Sequence, residues 1–227
     1  MLLPENFTSI MWTFPTANGS QTLWWQDTAT VRHNFERKFE DEDDYGVLLH
    51  YDGDNALVET VGVDRPLNRW SFVAVINSAG GSGPRIFHGL EDKPPIEAAY
   101  SLRDAGVGAF QAATGAFLVG NAGVGGDSFV GLIHNVMVFT RTLDRREIDY
   151  IWRTGKPLPG LGIWSEYGFS GAARQQDRSG LNNGGVVTGA RASAHAPLTP
   201  AKHAYSRYVD VLGASAPPRR TLMGVGV

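Results

Sequence analysis

The chain has no cysteine among its 227 residues, which excludes disulfides and thiolate metal sites. Charge is also scarce. Charged side chains make up 19% of the chain, and 20 basic against 23 acidic residues leave a formal charge of −3. That balance supplies no basic face, so no nucleic-acid partner is expected. No apolar run approaches the roughly 18 residues of a membrane helix, so no membrane partner is expected either. The opening Met-Leu-Leu-Pro-Glu has neither a basic region nor an apolar core segment, and a signal peptide is not expected. The glycine-rich stretches lack a phosphate-loop lysine or a dinucleotide-binding spacing. No Ser/His/Asp arrangement stands out.

What the chain does have is a series of short apolar segments separated by turn residues, with 28 glycines and 12 prolines. Residues 7–14, 47–51, 55–61, 70–76, 85–89, 116–121 and 129–139 read as strands. Residues 16–20 and 80–84 are turn signals, a further turn is expected at Gln26-Asp27, and Asp52-Gly53 is a good hairpin pair. Residues 91–110 read as a long loop or a loop holding one edge strand, and Gly131 is a candidate bulge. A chain of this length buries roughly 70% of its unfolded surface and needs no staple. The fold class expected is all-β, an antiparallel β-sandwich with one short helix on the C-terminal side.

That helix has a mechanical signature. Asp144 stands three residues before Glu147, the spacing of a capping box, and Leu143 and Ile148 are placed as a hydrophobic staple. Gly155 stops the helix and Pro157 prevents its return. Beyond it, residues 161–169 are strand-like and 186–188 form a candidate short strand. The tail after Ala190 is rich in Ala, Pro and Ser. The expected organisation is one domain over 1–190 and an extended C-terminal arm over 191–227.

The segments Trp70-Ser-Phe-Val-Ala-Val, Arg85-Ile-Phe-His-Gly and Phe117-Leu-Val-Gly, the strand opening at Phe129-Val-Gly-Leu, and Glu147-Ile148 come in a telling order. Over residues 45–155 they resemble the concanavalin A-like lectin/glucanase superfamily, in its laminin-G-like jelly-roll form. The resemblance implies a jelly roll. One departure follows the helix: the segment from Ile163 to Gly171, then Asp177 to Gly184, is similar to the piece that usually opens such a domain. Segment 161–190 is therefore expected to be a permuted strand or one exchanged with a neighbour.

Jelly-roll glucanases carry their carboxylates as Glu-x-Asp-x-x-Glu on one strand, and that pattern is absent. The acidic run at 36–44 reads as a solvated loop, and no catalytic residue is assigned. His88 and His134 are read as structural residues, neighbours on a sheet. Trp24, Trp25 and Trp164 are candidates for a sugar platform, with core or subunit contact as the alternative, while Trp70 and Trp152 are read as core. The resemblance also implies a calcium site near a sandwich rim, for which Asp127 is one candidate and Asp177 with Asn182 and Asn183 another. A turn held by side-chain-to-backbone bonds explains these residues equally well. Otherwise no cofactor is expected.

Similar jelly rolls with such tails occur in tailed-phage virion proteins. The function expected on that likeness is a non-catalytic structural or decoration module of a multi-subunit assembly, in a phage head or tail. Its partners would be further copies of itself or other virion subunits, and its location the virion or an extracellular surface. A carbohydrate-binding module that recognises cell-surface glycan, and a glycan-processing enzyme, are the alternatives.

Overall fold

Along Asp43–Leu49 (β4) and Ala56–Val61 (β5) every second described side chain is buried: Tyr45, Val47 and Leu49, then Ala56, Val58 and Thr60. This period of two is what a strand with one face on a core must show. The computed structural model extends the pattern into two six-stranded antiparallel sheets. It describes residues 2–28, 30–37, 43–80, 83–121, 128–165, 174–175, 177–181, 183 and 185–186. For 43–44, 164–165, 174–175 and 185–186 the backbone alone is described.

The first sheet runs in the order β12 (Leu161–Ser165), β11 (Gly131–Phe139), β1 (Phe7–Pro15), β6 (Ser71–Asn77), β7 (Arg85–Leu90) and β8 (Ile96–Glu97). The second runs β10 (Leu118–Val119), β2 (Gln21–Asp27), β3 (Arg32–Arg37), β4, β5 and β9 (Ala99–Arg103). A separate pair joins β13 (Arg174–Gln175) to β14 (Gly185–Val186). The fold is thus a β-sandwich of jelly-roll type. Strand β12 pairs with β11 of its own sandwich. The segment 91–110 holds β8 and the edge strand β9, and Asp54 and Val107 form a further bridge. Residues 191–227 lie outside the described residues.

Two apolar clusters follow from the alternation. Phe7, Met11, Trp24, Phe35, Tyr45, Val73, Val75 and Val138 fill the space between the sheets. Ile10, Trp12, Phe72, Ala74, Met137 and Phe139 point the other way, toward helix α1 (Arg145–Thr154). Strand β6 therefore buries both faces, which is why its sequence is apolar almost throughout. Helix α1 covers the outer face of the first sheet with Ile148, Ile151 and Trp152, and the Trp152 indole donates to the Leu90 carbonyl at 2.9 Å.

The helix ends as its sequence dictates. Asp144 accepts from the Glu147 amide, Glu147 accepts from the Asp144 amide, and Gly155 closes the helix at φ 64°. Arg141 adds a two-pronged bond to the Glu147 carboxylate, at 2.7 and 3.0 Å. Two local expectations need correction. The β2–β3 turn lies beyond Asp27 rather than at Gln26-Asp27, because β2 continues through Asp27 to pair with Arg32. The bulge in β11 is at Asn135, with φ 54°, where the register with β1 steps between Ile10 and Trp12. Gly131 pairs regularly with Pro15. Among the described residues no helix is long and apolar enough to cross a membrane.

Candidate functional site

The outer face of the second sheet is built by the residues that alternation leaves outside. On β3, Phe35 enters the core with His33 and Arg37 beside it, so Arg32, Asn34 and Glu36 point out. On β4 and β5, Gly46, Leu48, Leu57 and Glu59 do the same. Cross-strand register sets them in rows. One row reads Trp25, Asn34, Leu48, Leu57. The next reads Glu36, Gly46, Glu59.

Two shallow depressions lie on this face. One, of about 180 Å³, is lined by Asp27, Thr28, Thr30, Val31, Arg32, Leu48 and His50. The other, of about 200 Å³, is lined by Asn34, Glu36, Gly46, Val47, Leu48, Leu57 and Glu59. Leu48 belongs to both. Each is smaller than the roughly 300 Å³ at which pockets for whole small molecules begin, so each suits one ring or one functional group.

Polar satisfaction on the face is incomplete. The Asn34 amide nitrogen donates to Glu36 Oε1 at 2.6 Å, but Asn34 Oδ1 is buried without a partner. Its register neighbour Trp25 has a buried indole Nε1 that also lacks one. The Arg32 guanidinium lies 4.5 Å from the Trp25 ring centroid, a cation–π contact. An unmet buried hydrogen bond costs about 1–3 kcal/mol, and cross-strand neighbours are close enough to share one bridging group.

Beneath the first depression His33 and His50 form an edge-on pair at 6.2 Å. The His33 ring stacks on Phe110, donates from Nε2 to the Gln111 carbonyl at 2.7 Å, and accepts the His50 amide at Nδ1. Both bonds need the neutral ring, because Nδ1 must keep its lone pair. Burial pushes the His33 imidazole down to about 4. Burial, then the nearby Arg32 charge, also lowers that of His50.

The sequence-derived candidates fall into different places. Trp24 is fully buried between the sheets, with its indole donating to Ser9 Oγ at 3.0 Å and its ring stacked on Phe117. It presents no face to solvent, so of the two readings it is core and not a sugar platform. Trp25 faces outward but is only 6% exposed. Trp164 lies on β12 opposite Met137, and its side chain is outside the described residues. Trp70 and Trp152 are core, as expected.

Asp127 and Asn182 also lie outside the described residues. Asp177 accepts from the Ser179 amide, the Ser179 hydroxyl and the Asn183 amide, at 2.6 to 2.9 Å. Asn183 donates to the Gly162 carbonyl at 2.8 Å, tying this turn to β12. That is the geometry of a side-chain-to-backbone turn. His88 and His134 are not neighbours: β1 and β6 stand between their strands. Glu36, read as part of a loop, is on a strand and lines the second depression.

No protein-family profile matches this chain, and no curated protein matches it. Solved structures do. A candidate carbohydrate-binding protein from Bacteroides ovatus superposes with a TM-score of 0.57 at 16% identity, covering 81% of this chain and 52% of its own. The enzymatically active domain of a tailspike protein of bacteriophage CBA120 gives 0.49 at 12% identity, covering 66% and 24%. Domains LG4-5 of the mouse laminin alpha1 chain give 0.39 at 15% identity, covering 74% and 42%. The chain spans about half the length of the Bacteroides protein. At such identities the likeness is one of fold.

Proposed function

We propose that this chain is a non-catalytic carbohydrate-recognition module that binds through the outer face of its second sheet. One observation carries this reading. Helix α1 covers the outer face of the first sheet, whereas the outer face of the second presents Asn34, Leu48 and Leu57 in one row beside Glu36 and Glu59, with two buried polar atoms unpaired. A sugar offers alternating hydroxyls and C–H faces, which suits a row that mixes amide, carboxylate and leucine. A hydroxyl that accepts from Trp25 Nε1 and donates to Asn34 Oδ1 satisfies both, once the exposed Arg32 side chain swings off the indole. A structure sharing the fold is named a candidate carbohydrate-binding protein, in support of this reading.

Binding rather than hydrolysis is proposed because both glutamates lie in a shallow, open depression. A glycosidase acid is tuned by burial and neighbouring groups so that it holds its proton near neutral pH. The test is a glycan array probed with the wild-type chain and Leu48→Arg, which intrudes on both depressions. Glycan signals lost in the variant with an unchanged unfolding midpoint support the module. Release of reducing ends from a bound glycan overturns the non-catalytic part.

Assembly into a larger particle is a second reading. In the Bacteroides structure the shared sandwich takes up about half of a longer chain, so a unit of this fold can serve as part of a larger protein. A virion setting belongs to this reading. Light scattering that shows a stable oligomer supports it, and a monomer at all concentrations opposes it.

A further inference from the structure

We infer that the first depression is a subsite for one uncharged sugar ring, whose hydroxyls bridge Asp27 and Arg32. The sugar part rests on the reading of this face as a saccharide surface. The choice of depression, and of an uncharged ring, rests on the chemistry of the depression itself.

Asp27 and Arg32 both line it and are partners in the β2–β3 register. Opposite charges so placed attract across the strands. Here they do not close into an ion pair: the Arg32 guanidinium lies over the Trp25 ring instead, 4.5 Å from its centroid. Among the described residues neither charged group has a hydrogen-bond or ion-pair partner. The guanidinium therefore keeps five N–H donors to give, and the carboxylate keeps its acceptor sites.

The next row repeats the pattern. Trp25 and Asn34 are also register partners, and the indole Nε1 and the amide Oδ1 are each buried without a partner. The two residues are only 6% and 9% exposed. Two adjacent rows thus each set an unused donor opposite an unused acceptor. Rows on one face lie two residues apart along the strands, roughly 6.7 Å, a step that one hydroxylated ring spans.

The rest of the lining is neutral. Thr28 and Thr30 bring hydroxyls, and Leu48 gives the C–H face of a ring an apolar contact. Burial, then the Arg32 charge, lowers the His50 imidazole, which carries no charge at neutral pH. Of residues 27–32 only Ala29 lies outside the described residues, and its side chain is a methyl group.

Charge in the depression therefore balances, and that selects the ligand. A carboxylate on the ring gains Arg32 but meets Asp27. An ammonium gains Asp27 but meets Arg32. A hydroxyl donates to one and accepts from the other, and both of these bonds are charge-assisted.

Ligand-observed NMR titrations of the full chain at neutral pH test this. The probes are glucose, galactose and mannose, each as the neutral sugar, the uronic acid and the 2-amino sugar, so that no stereochemistry is presupposed. In the series that binds best, the neutral sugar is expected to bind about threefold to fivefold more tightly than either charged form. Arg32→Gln and Asp27→Asn should each weaken it about fivefold. Arg32→Gln should also leave the amino sugar ahead of the uronic acid, and Asp27→Asn the reverse. Thr30→Trp, at an exposed position, fills the depression without altering charge and should weaken all three forms. A uronic acid or an amino sugar bound most tightly by the wild type overturns the charge-balanced subsite. Neutral-sugar binding indifferent to all three variants overturns the subsite and leaves the saccharide surface standing. So does an absence of binding here beside a positive glycan array. No binding here and a silent array overturn the saccharide surface and the subsite together.

Discussion

The side-chain amide of Asn135 donates to the carbonyl of Gly155 at 3.0 Å, and both residues are left-handed, at φ 54° and 64°. One is the bulge in β11 and the other is the stop of α1, so a strand irregularity and a helix end form a single joint. Left-handed backbone is strained for most residues and tolerated by Asn and Gly. Asn135→Gly keeps the left-handed backbone and is expected to lose the bond to Gly155, about 1 kcal/mol. Asn135→Ala loses the bond and adds backbone strain, about 2–3 kcal/mol in all. Chemical denaturation of the two variants measures the gap, and equal losses would show that the backbone conformation contributes nothing.

Acid should destabilise the sandwich well before its carboxylates titrate. Burial lowers both His33 and His88 from 6.5 to about 4. Between those values the unfolded chain binds the protons that the folded chain refuses, so stability rises with pH. The contribution is fully present above pH 6.5 and is lost as pH falls toward 4, by up to about 3 kcal/mol per histidine. Urea midpoints measured from pH 7 to 5 should fall steadily. The fall should be shallower in His88→Asn, and a flat profile would refute the burial argument.

The adjacent tryptophans should separate stability from binding. Trp24→Ala empties a space between the sheets and is expected to cost about 3–5 kcal/mol. Trp25→Phe removes an indole N–H that has no partner, so the unfolding midpoint should barely move. If a ligand hydroxyl uses that N–H, glycan affinity should drop about tenfold. Thermal melts and calorimetry on the two variants read the two effects apart.

The Asp177 turn should be held by its own hydrogen bonds. Asp177→Ala removes the acceptor of three of them, and the local opening free energy should fall by about 1–3 kcal/mol. Hydrogen exchange at the Ser179 and Asn183 amides measures this directly. The same loss is expected in calcium and in chelator. Protection that depends on calcium would make the turn a metal site instead.

The architecture was legible where one physical signal dominates. Strand β6 reads as apolar because it is buried on both faces, and α1 is announced by Asp144, Glu147 and Gly155. The candidate site was much less legible. In β3 the inward residues are His33, Phe35 and Arg37, so two of the three buried positions are polar and the period of two disappears from the sequence. Glu36 consequently looked like the start of a charged loop. Trp24 and Trp25 looked alike, but a strand must send neighbours to opposite faces, and only the register decides which one goes in. Strands β8 and β10 have two residues each, too few to show any period. The rows across β3, β4 and β5 depend on pairing, which no single segment encodes.

Strand β1 precedes the other described strands, yet it lies inside its sheet, with β6 on one side and β11 on the other. Its second flank is supplied only by residues 131–139. During synthesis β1 must therefore wait, one edge bare, until residues 131–139 have left the ribosome. A nascent chain halted before residue 131 would present that bare edge to chaperones or to other copies of itself.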